Sequence, residues 1–153
     1  MRLARYMKRD VVSIHADATI RDAARVFVRR RIGLLPVIDK NEKLIGAVSL
    51  QDMLTLELPD FVNFVTDVDF VHDFGAVETT RPSAATLGRP IKKLMQPPVA
   101  VPEDCGLLRA YALMIQHKLN DLLVVSAEGG LVGVASRVDI GRAILSSWAN
   151  VEE

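Results

Sequence analysis

An α/β fold built from two copies of one β-α-β-β-α unit is what this sequence predicts, on three observations. The chain matches itself at one fixed spacing, the apolar pattern within each copy alternates between strand and helix periods, and 50% of the residues are hydrophobic, enough to bury a substantial core.

The spacing comes first. Ile14-His15-Ala16-Asp17 lines up with Val101-Pro102-Glu103-Asp104, Ala23 with Ala110, Phe27 with Met114 and Val37-Ile38 with Val124-Val125, all 87 positions apart. The same spacing pairs Leu44-Ile45-Gly46-Ala47 with Leu131-Val132-Gly133-Val134, and Ser49-Leu50-Gln51-Asp52 with Ser136-Arg137-Val138-Asp139. Met7 and Met95 join at 88, one residue out of step. Two copies are too few for a solenoid, so the pattern is a domain duplication.

Val11 to Ile14 is a short β-branched run that predicts the first strand. Apolar residues then recur at helical spacing as Ile20, Ala23, Ala24, Phe27 and Val28, and copy two repeats that face as Leu107, Ala110, Tyr111, Met114 and Ile115. Leu34 to Ile38 reads as a second strand, Asp39-Lys40-Asn41-Glu42 as a polar turn, and Leu44 to Leu50 as a third strand. The matching turn of copy two, Ala127-Glu128-Gly129-Gly130, carries glycines suited to positive φ. A closing helix follows in each unit, with Leu50, Met53, Leu54 and Leu58 in the first copy and Gly141, Ile144, Leu145 and Trp148 in the second.

These elements divide the chain into a first repeat over 1–58, a partly helical linker over 59–90 and a second repeat over 91–153. Within the linker, Phe61, Phe64, Val65 and Val68 form a helix face after Pro59-Asp60. Thr79 to Thr86 reads as loop, and Gly88-Arg89-Pro90 ends it before a short helix from Ile91 to Met95.

Charge narrows the function classes. Lys plus Arg total 19 and Asp plus Glu total 19, so no bulk field draws the chain to nucleic acid or to an anionic membrane. The balance hides a basic amino-terminal stretch, Arg2 to Arg31, and an acidic one from Glu57 to Glu78 that lacks Lys and Arg, and the two stretches can attract each other. Cys105 is the single cysteine, which excludes an intrachain disulfide and fits a reducing compartment. No apolar run approaches the length of a membrane span and the amino end lacks an apolar signal core, so the expectation is a cytoplasmic protein without membrane or nucleic-acid partners.

Taken together, the motifs resemble the cystathionine beta-synthase (CBS) domain family, whose repeats occur in pairs called Bateman modules. The residues that carry the resemblance are Met7, Ala23, Leu35-Pro36-Val37-Ile38-Asp39 and Leu44-Ile45-Gly46-Ala47-Val48-Ser49-Leu50-Gln51-Asp52. Copy two keeps Met95, Ala110, Leu122-Leu123-Val124-Val125 and Leu131 to Asp139, but has Leu123 and Ser126 in place of the Pro and Asp of the second strand. The resemblance implies that the two repeats pack as a pseudo-two-fold pair through their sheets, that clefts between them bind adenosine-containing ligands, and that two such modules form a disc-like homodimer.

The chemistry of the Ser-x-x-Asp ends follows from their position. A strand ending at Val48 and a helix beginning near Leu50 put Ser49 at a helix N-cap and Asp52 one turn in, beside unpaired backbone N–H groups. A carboxylate there can accept hydrogen bonds from both hydroxyls of a ribose, while the helix start favours a nearby phosphate. Ser136 and Asp139 serve the second cleft in the same way, Arg137 is the candidate phosphate contact, and Ile14, Pro36 and Val101 complete the expected ligand-binding set. Gly46 and Gly133 leave room for a backbone or a ligand to come close. The competing reading of Ser-x-x-Asp is a capping box that stabilises its helix by about 1 kcal/mol whether or not anything binds. Kinase gamma subunits of the family hold phosphates with His or Arg just before the Leu-Pro-Val strand, where this chain has Gly33-Leu34 and Asn120-Asp121, and Asp121 repels phosphate. Arg29, Arg30 and Arg31 stand nearby, at a helix end whose dipole they offset.

Other signals are weaker. Asp67, Asp69, His72 and Asp73 match no EF-hand or zinc spacing and read as a solvated acidic loop, with no metal site expected. No nucleophile and base are paired in sequence, so no catalytic residue is expected and the chain reads as a non-enzyme. Arg21, Arg25 and Arg29 read as a solvated helix face. Trp148 with Ile144 and Leu145, and Met53 with Leu54 and Leu58, read as a surface that a second copy covers. The expected function is regulatory sensing of an adenosyl ligand (AMP, ADP, ATP, S-adenosylmethionine or NAD(H)), with no cofactor required, acting in trans on an unidentified effector protein. The alternative is a ligand-free dimerisation or interaction module that uses the 59–78 linker as its partner surface.

Overall fold

The computed structural model of the chain describes residues 1–56 and 81–148. The helix face expected over Phe61 to Val68, Leu58 and the acidic cluster around His72 lie outside those residues.

Each copy has the elements in the order the apolar periods predict, but the strand expected over Val11 to Ile14 begins only at Ile14, and Val11, Val12 and Ser13 precede it. Strand β1 (Ile14–His15), helix α1 (Ile20–Arg30), strands β2 (Leu34–Ile38) and β3 (Leu44–Ser49) and helix α2 (Leu50–Leu54) make the first unit. A short helix α3 (Ala84–Leu87) precedes the second, which has β4 (Ala100–Pro102), α4 (Leu107–Gln116), β5 (Asp121–Val125), β6 (Leu131–Ser136) and α5 (Arg137–Ser146). Each half carries a three-stranded sheet whose first strand runs parallel to the second and whose second pairs antiparallel with the third.

The duplication extends to the backbone. Arg31 and Lys118 take positive φ where the first helix of each unit ends, and Glu42 and Gly129 take it in the two hairpin turns. Only one of these four positions is glycine, so the left-handed turn is kept even where it strains a side chain.

Helix α1 starts on a capping box that sequence reading did not single out. Thr19 Oγ1 accepts the Asp22 N–H at 3.1 Å and Asp22 accepts the Thr19 N–H at 3.0 Å. The Thr19 backbone N–H, and after it the Thr19 hydroxyl, hold the Asp22 carboxyl below the usual carboxylate range. The helix buries Ile20, Ala23 and Phe27, but Val28, expected on that face, is 79% exposed. Tyr111 and Ile115 are likewise exposed on α4, where Leu107, Ala110 and Met114 are buried. A helix resting on a sheet of three strands buries a narrow stripe, so only one residue per turn goes under.

Strand β2 reads as a continuous apolar run because both of its faces are covered. Leu35 and Val37 enter the first core with Ile14, Ile20, Ala23, Phe27 and Val48, while Pro36 faces the other repeat. Proline is tolerated here because Ala47, its partner on β3, sends its N–H and C=O away to Gln96, which makes Pro36–Ala47 a pair without direct ladder bonds. On the other side β1 reaches only Val37 and Ile38, so no bond is lost at Pro36.

The two repeats exchange their leading turns. Leu3 and Met7 sit in the second core with Val101, Leu107, Ala110, Met114, Leu122 and Val124, whereas Ile91 sits in the first core with Leu94 and Met95 packed against it. The hydrogen bonds are reciprocal. The Leu3 N–H donates to Cys105 O at 2.9 Å and the Ile91 N–H to Ala18 O at 2.7 Å; Leu107 N–H donates to Met1 O at 3.2 Å and Ile20 N–H to Arg89 O at 2.9 Å. Each fully buried Leu or Ile of this kind contributes about 1.5–3 kcal/mol, so the exchange joins the halves. The space at Gly46 and Gly133, expected to admit a backbone or a ligand, is taken by the side chains of Met95 and Met7 and, at Gly133, by the Lys8 carbonyl as well.

One linker expectation is corrected. Ala84–Leu87 is a helical turn where the sequence reads as loop, because Ser83 Oγ accepts the Thr86 N–H at 3.2 Å and Leu87 packs on the first core. The helix expected from Ile91 to Met95 is a shorter 3-10 turn over Ile91–Lys93. No helix among the described residues is long and apolar enough to cross a membrane.

Candidate functional site

The site residues stand where the third strand of each unit turns into its closing helix. Ser49 leaves β3 in an extended conformation, φ −87° and ψ 160°, and caps α2. Its Oγ accepts the Asp52 N–H at 3.0 Å, and Asp52 Oδ2 accepts the Ser49 N–H at 2.8 Å. The second junction repeats this, with Asp139 N–H to Ser136 Oγ at 3.1 Å and Ser136 N–H to Asp139 Oδ2 at 3.0 Å. Capping uses one carboxylate oxygen of each aspartate. Among the described residues Oδ1 of both has no hydrogen-bond partner and is open to a donor.

Two cavities lie between the sheets. The first, of about 190 Å³, is walled by Leu34, Ala47, Ser49, Asp52, Gln96, Pro97, Val99, Leu119, Asp121 and Leu123. The second, of about 270 Å³, is walled by Lys8, Asp10, Val11, Val12, Arg30, Arg31, Ile32, Gly33, Leu34, Pro36, Asp121, Leu123 and Val134. They are counterparts under the duplication and share Leu34, Asp121 and Leu123 as a common wall. Lys8 and Gln96 hold equivalent places, each forming an antiparallel backbone bridge to the third strand of the other repeat, at Val134 and Ala47.

The expected residues do not all converge. Ser49 and Asp52 line the first cavity and Pro36 the second. Ser136 and Asp139 border the second through Lys8, whose Nζ is 4.0 Å from Asp139 Oδ2. Arg137 turns its guanidinium the other way, where Nε donates to the Leu119 carbonyl and closes the loop between α4 and β5. Ile14 and Val101 are buried in the two cores and line neither cavity, because the alternation of a strand aims them at the helices.

Lys8, Gln96 and the double exposure of Asp121 were not visible in the motifs. Asp121 opens β5 half-buried on the shared wall, and burial pushes its carboxyl above the usual range. Lys8 opposes that shift and Asp139 adds to it. Aligning Met7 with Met95 places Lys8 on Gln96 in sequence, but only the exchange of leading turns carries Lys8 to the repeat that holds Asp139. Among the described residues no group of three or more His, Cys, Asp or Glu is placed to hold a metal ion.

The comparisons with known proteins agree with this geometry. The family model described as CBS domain matches twice, over residues 3–58 and 91–146. The chloroplastic CBS domain-containing protein CBSX2 of Arabidopsis thaliana is 32% identical over 139 residues, which cover 86% of this chain and 58% of that protein. The chain spans about three fifths of the length of the first curated relatives it matches. The crystal structure of CBSX2 in complex with AMP superposes with a TM-score of 0.70 at 27% identity, covering 95% of this chain and 96% of the other. A CBS domain protein from Pyrobaculum aerophilum complexed with AMP gives 0.70 at 26% identity, with the same two coverages. Matched in both repeats, with each repeat's sheet and capped helix in place, this chain belongs to the CBS domain family and carries two CBS domains.

Proposed function

We propose that this chain is a regulatory module that binds adenosine-containing ligands, nucleotides among them, between its repeats and acts in trans on an effector protein. The observation that carries the reading is the capped Ser49-x-x-Asp52 junction in the wall of a cavity between the sheets, with the Ser136-x-x-Asp139 junction reaching the counterpart cavity through Lys8. The free Oδ1 of the aspartate suits a ribose hydroxyl, the apolar wall of Leu34, Leu123 and their neighbours suits an adenine face, and a helix start suits the phosphate. AMP in the complexes of CBSX2 and of the Pyrobaculum aerophilum protein supports the same ligand class. S-adenosylmethionine and NAD(H) share the adenosine portion and belong in the same panel.

The reading is non-enzymatic, since the clefts offer carboxylates already engaged in caps and no paired nucleophile and base. It also has a place for a second copy. Leu108, Tyr111 and Ile115 on α4, Val138 and Leu145 on α5 and Trp148 just after it are exposed apolar residues, and the two helices pack together. A face of that kind on a pseudo-symmetric module suits a two-fold homodimer. A reducing, cytoplasm-like compartment fits the single buried Cys105. Any switch then requires that the ligand bind two conformations unequally.

Thermal-shift and calorimetric titration with AMP, ADP, ATP, S-adenosylmethionine and NAD(H) tests the reading. A ligand at 100 times its dissociation constant should add about 2.7 kcal/mol of stability. Silence across the panel with the protein folded would leave a ligand-free interaction module as the better account.

A further inference from the structure

The two clefts are counterparts in position and opposites in charge. The second is walled by Lys8, Arg30 and Arg31 against Asp10 and Asp121, whereas the first has Asp52 and Asp121 and no cation in its wall. Lys8 in the second cleft stands where Gln96 stands in the first, and Arg30 and Arg31 line the second cavity while their counterparts His117 and Lys118 do not line the first.

Geometry gives the basic groups distinct tasks. Arg30 reaches Asp10 at 3.7 Å, so its charge is partly matched. Arg31 is the left-handed cap of α1, with φ 52° and its N–H on the Phe27 carbonyl at 3.1 Å, which fixes its Cα where the helix meets the cavity. Lys8 lines the same cavity and stands 4.0 Å from Asp139, the carboxylate suited to a ribose. An ammonium beside a ribose acceptor can pair with a 5′-phosphate carried on that ribose. The cavities differ in size in the same sense, about 270 Å³ against about 190 Å³.

We propose that charge sorts the ligands: the second cleft takes the phosphate-bearing nucleotide on Lys8 and Arg31, which offset the shared Asp121, while the first, with Asp52 and Asp121 and no cation in its wall, takes an unphosphorylated adenine nucleoside. This rests on the nucleotide-binding reading above and adds which cleft takes which ligand. Asp52 and Asp121 are partly buried and repel a phosphate at short range, whereas Lys8 and Arg31 are exposed and attract it in direct contact, through a field that salt screens.

Isothermal titration of the full chain with AMP and with adenosine tests the sorting. The expected result is one AMP per chain, with adenosine binding a further site once AMP has saturated. Lys8→Gln with Arg31→Gln should weaken AMP about tenfold or more and leave that adenosine site unchanged. Gln96→Lys, at an exposed position, should add a second AMP per chain, and it carries the test if the double variant fails to fold. Two AMP per wild-type chain, or AMP affinity indifferent to all three substitutions, overturns the sorting while nucleotide binding stands. Binding of neither ligand to the folded protein overturns both.

Discussion

Met7 packs its thioether so closely on Gly133 that a β-carbon built on that glycine would stand 2.5 Å from the sulfur. The mirror contact joins Met95 to Gly46, where the same construction gives 2.7 Å. The methionine before the first strand of each repeat therefore locks onto the third strand of the other. This is how two small cores of three strands each become one molecule.

Gly133→Ala should destabilise the protein by about 1–3 kcal/mol, since the added methyl meets Met7 and also the Lys8 carbonyl, 3.1 Å from the new carbon. Neither glycine has a positive φ, so the cost is steric alone. Urea unfolding of Gly133→Ala, Met7→Ala and the double variant should show coupling of at least about 0.5 kcal/mol. Additive losses would show that the contact does not join the repeats.

Two caps separate stability from binding. Thr19→Ala removes the α1 cap, outside both clefts, and should cost about 1 kcal/mol with AMP affinity unchanged. Asp139→Ala should lose a comparable cap and, in addition, weaken AMP about tenfold or more. Equal AMP affinity in the two variants, read by calorimetry, would reduce Asp139 to a capping residue.

Asp121 makes stability depend on pH. Burial raises its folded-state pKa above the unfolded value, so the folded chain binds a proton more readily. The stability it contributes is complete below the unfolded pKa and is lost as pH rises through the folded one. Asp121→Asn should therefore melt higher than wild type at pH 7, with the difference vanishing on acidification below about pH 4. A melting-temperature series across that range checks it, and an unchanged or lower value at pH 7 would contradict it.

Cys105 should be unreactive in the native protein. It is 6% exposed, and burial pushes its thiol pKa up, with Asp104 adding to the shift and Arg109 opposing it. A chromogenic disulfide reagent at pH 7.5 should label it only as fast as the structure opens, and denaturant should make labelling immediate. Rapid native labelling would place the thiol at the surface.

Much of the fold is legible in the residues. β2 lies where Leu34 to Ile38 predicts it, and β3 ends one residue short of Leu50 because Ser49 caps the helix that follows. The Ser83 turn was missed because a single helical turn has too few residues to show a period, and Val28 was misplaced because the period gives a face but not its width. The site is less legible. Ser49 and Asp52 are found by their cap, yet Arg137, two residues before Asp139, sends its side chain to the Leu119 carbonyl, a partner 18 residues away.

The sequence by itself determined the duplication, the order of elements and the capped junctions, because periods and caps act within one turn or one strand. The tertiary structure alone decided that the leading turns exchange, that Lys8 meets Asp139, and that Asp121 stands in both clefts. Those contacts join residues far apart in the chain, as the Leu3–Cys105 bond does, and depend on two cores closing over each other's first turn. No local pattern encodes such a contact, since its stabilisation exists only once both halves have folded.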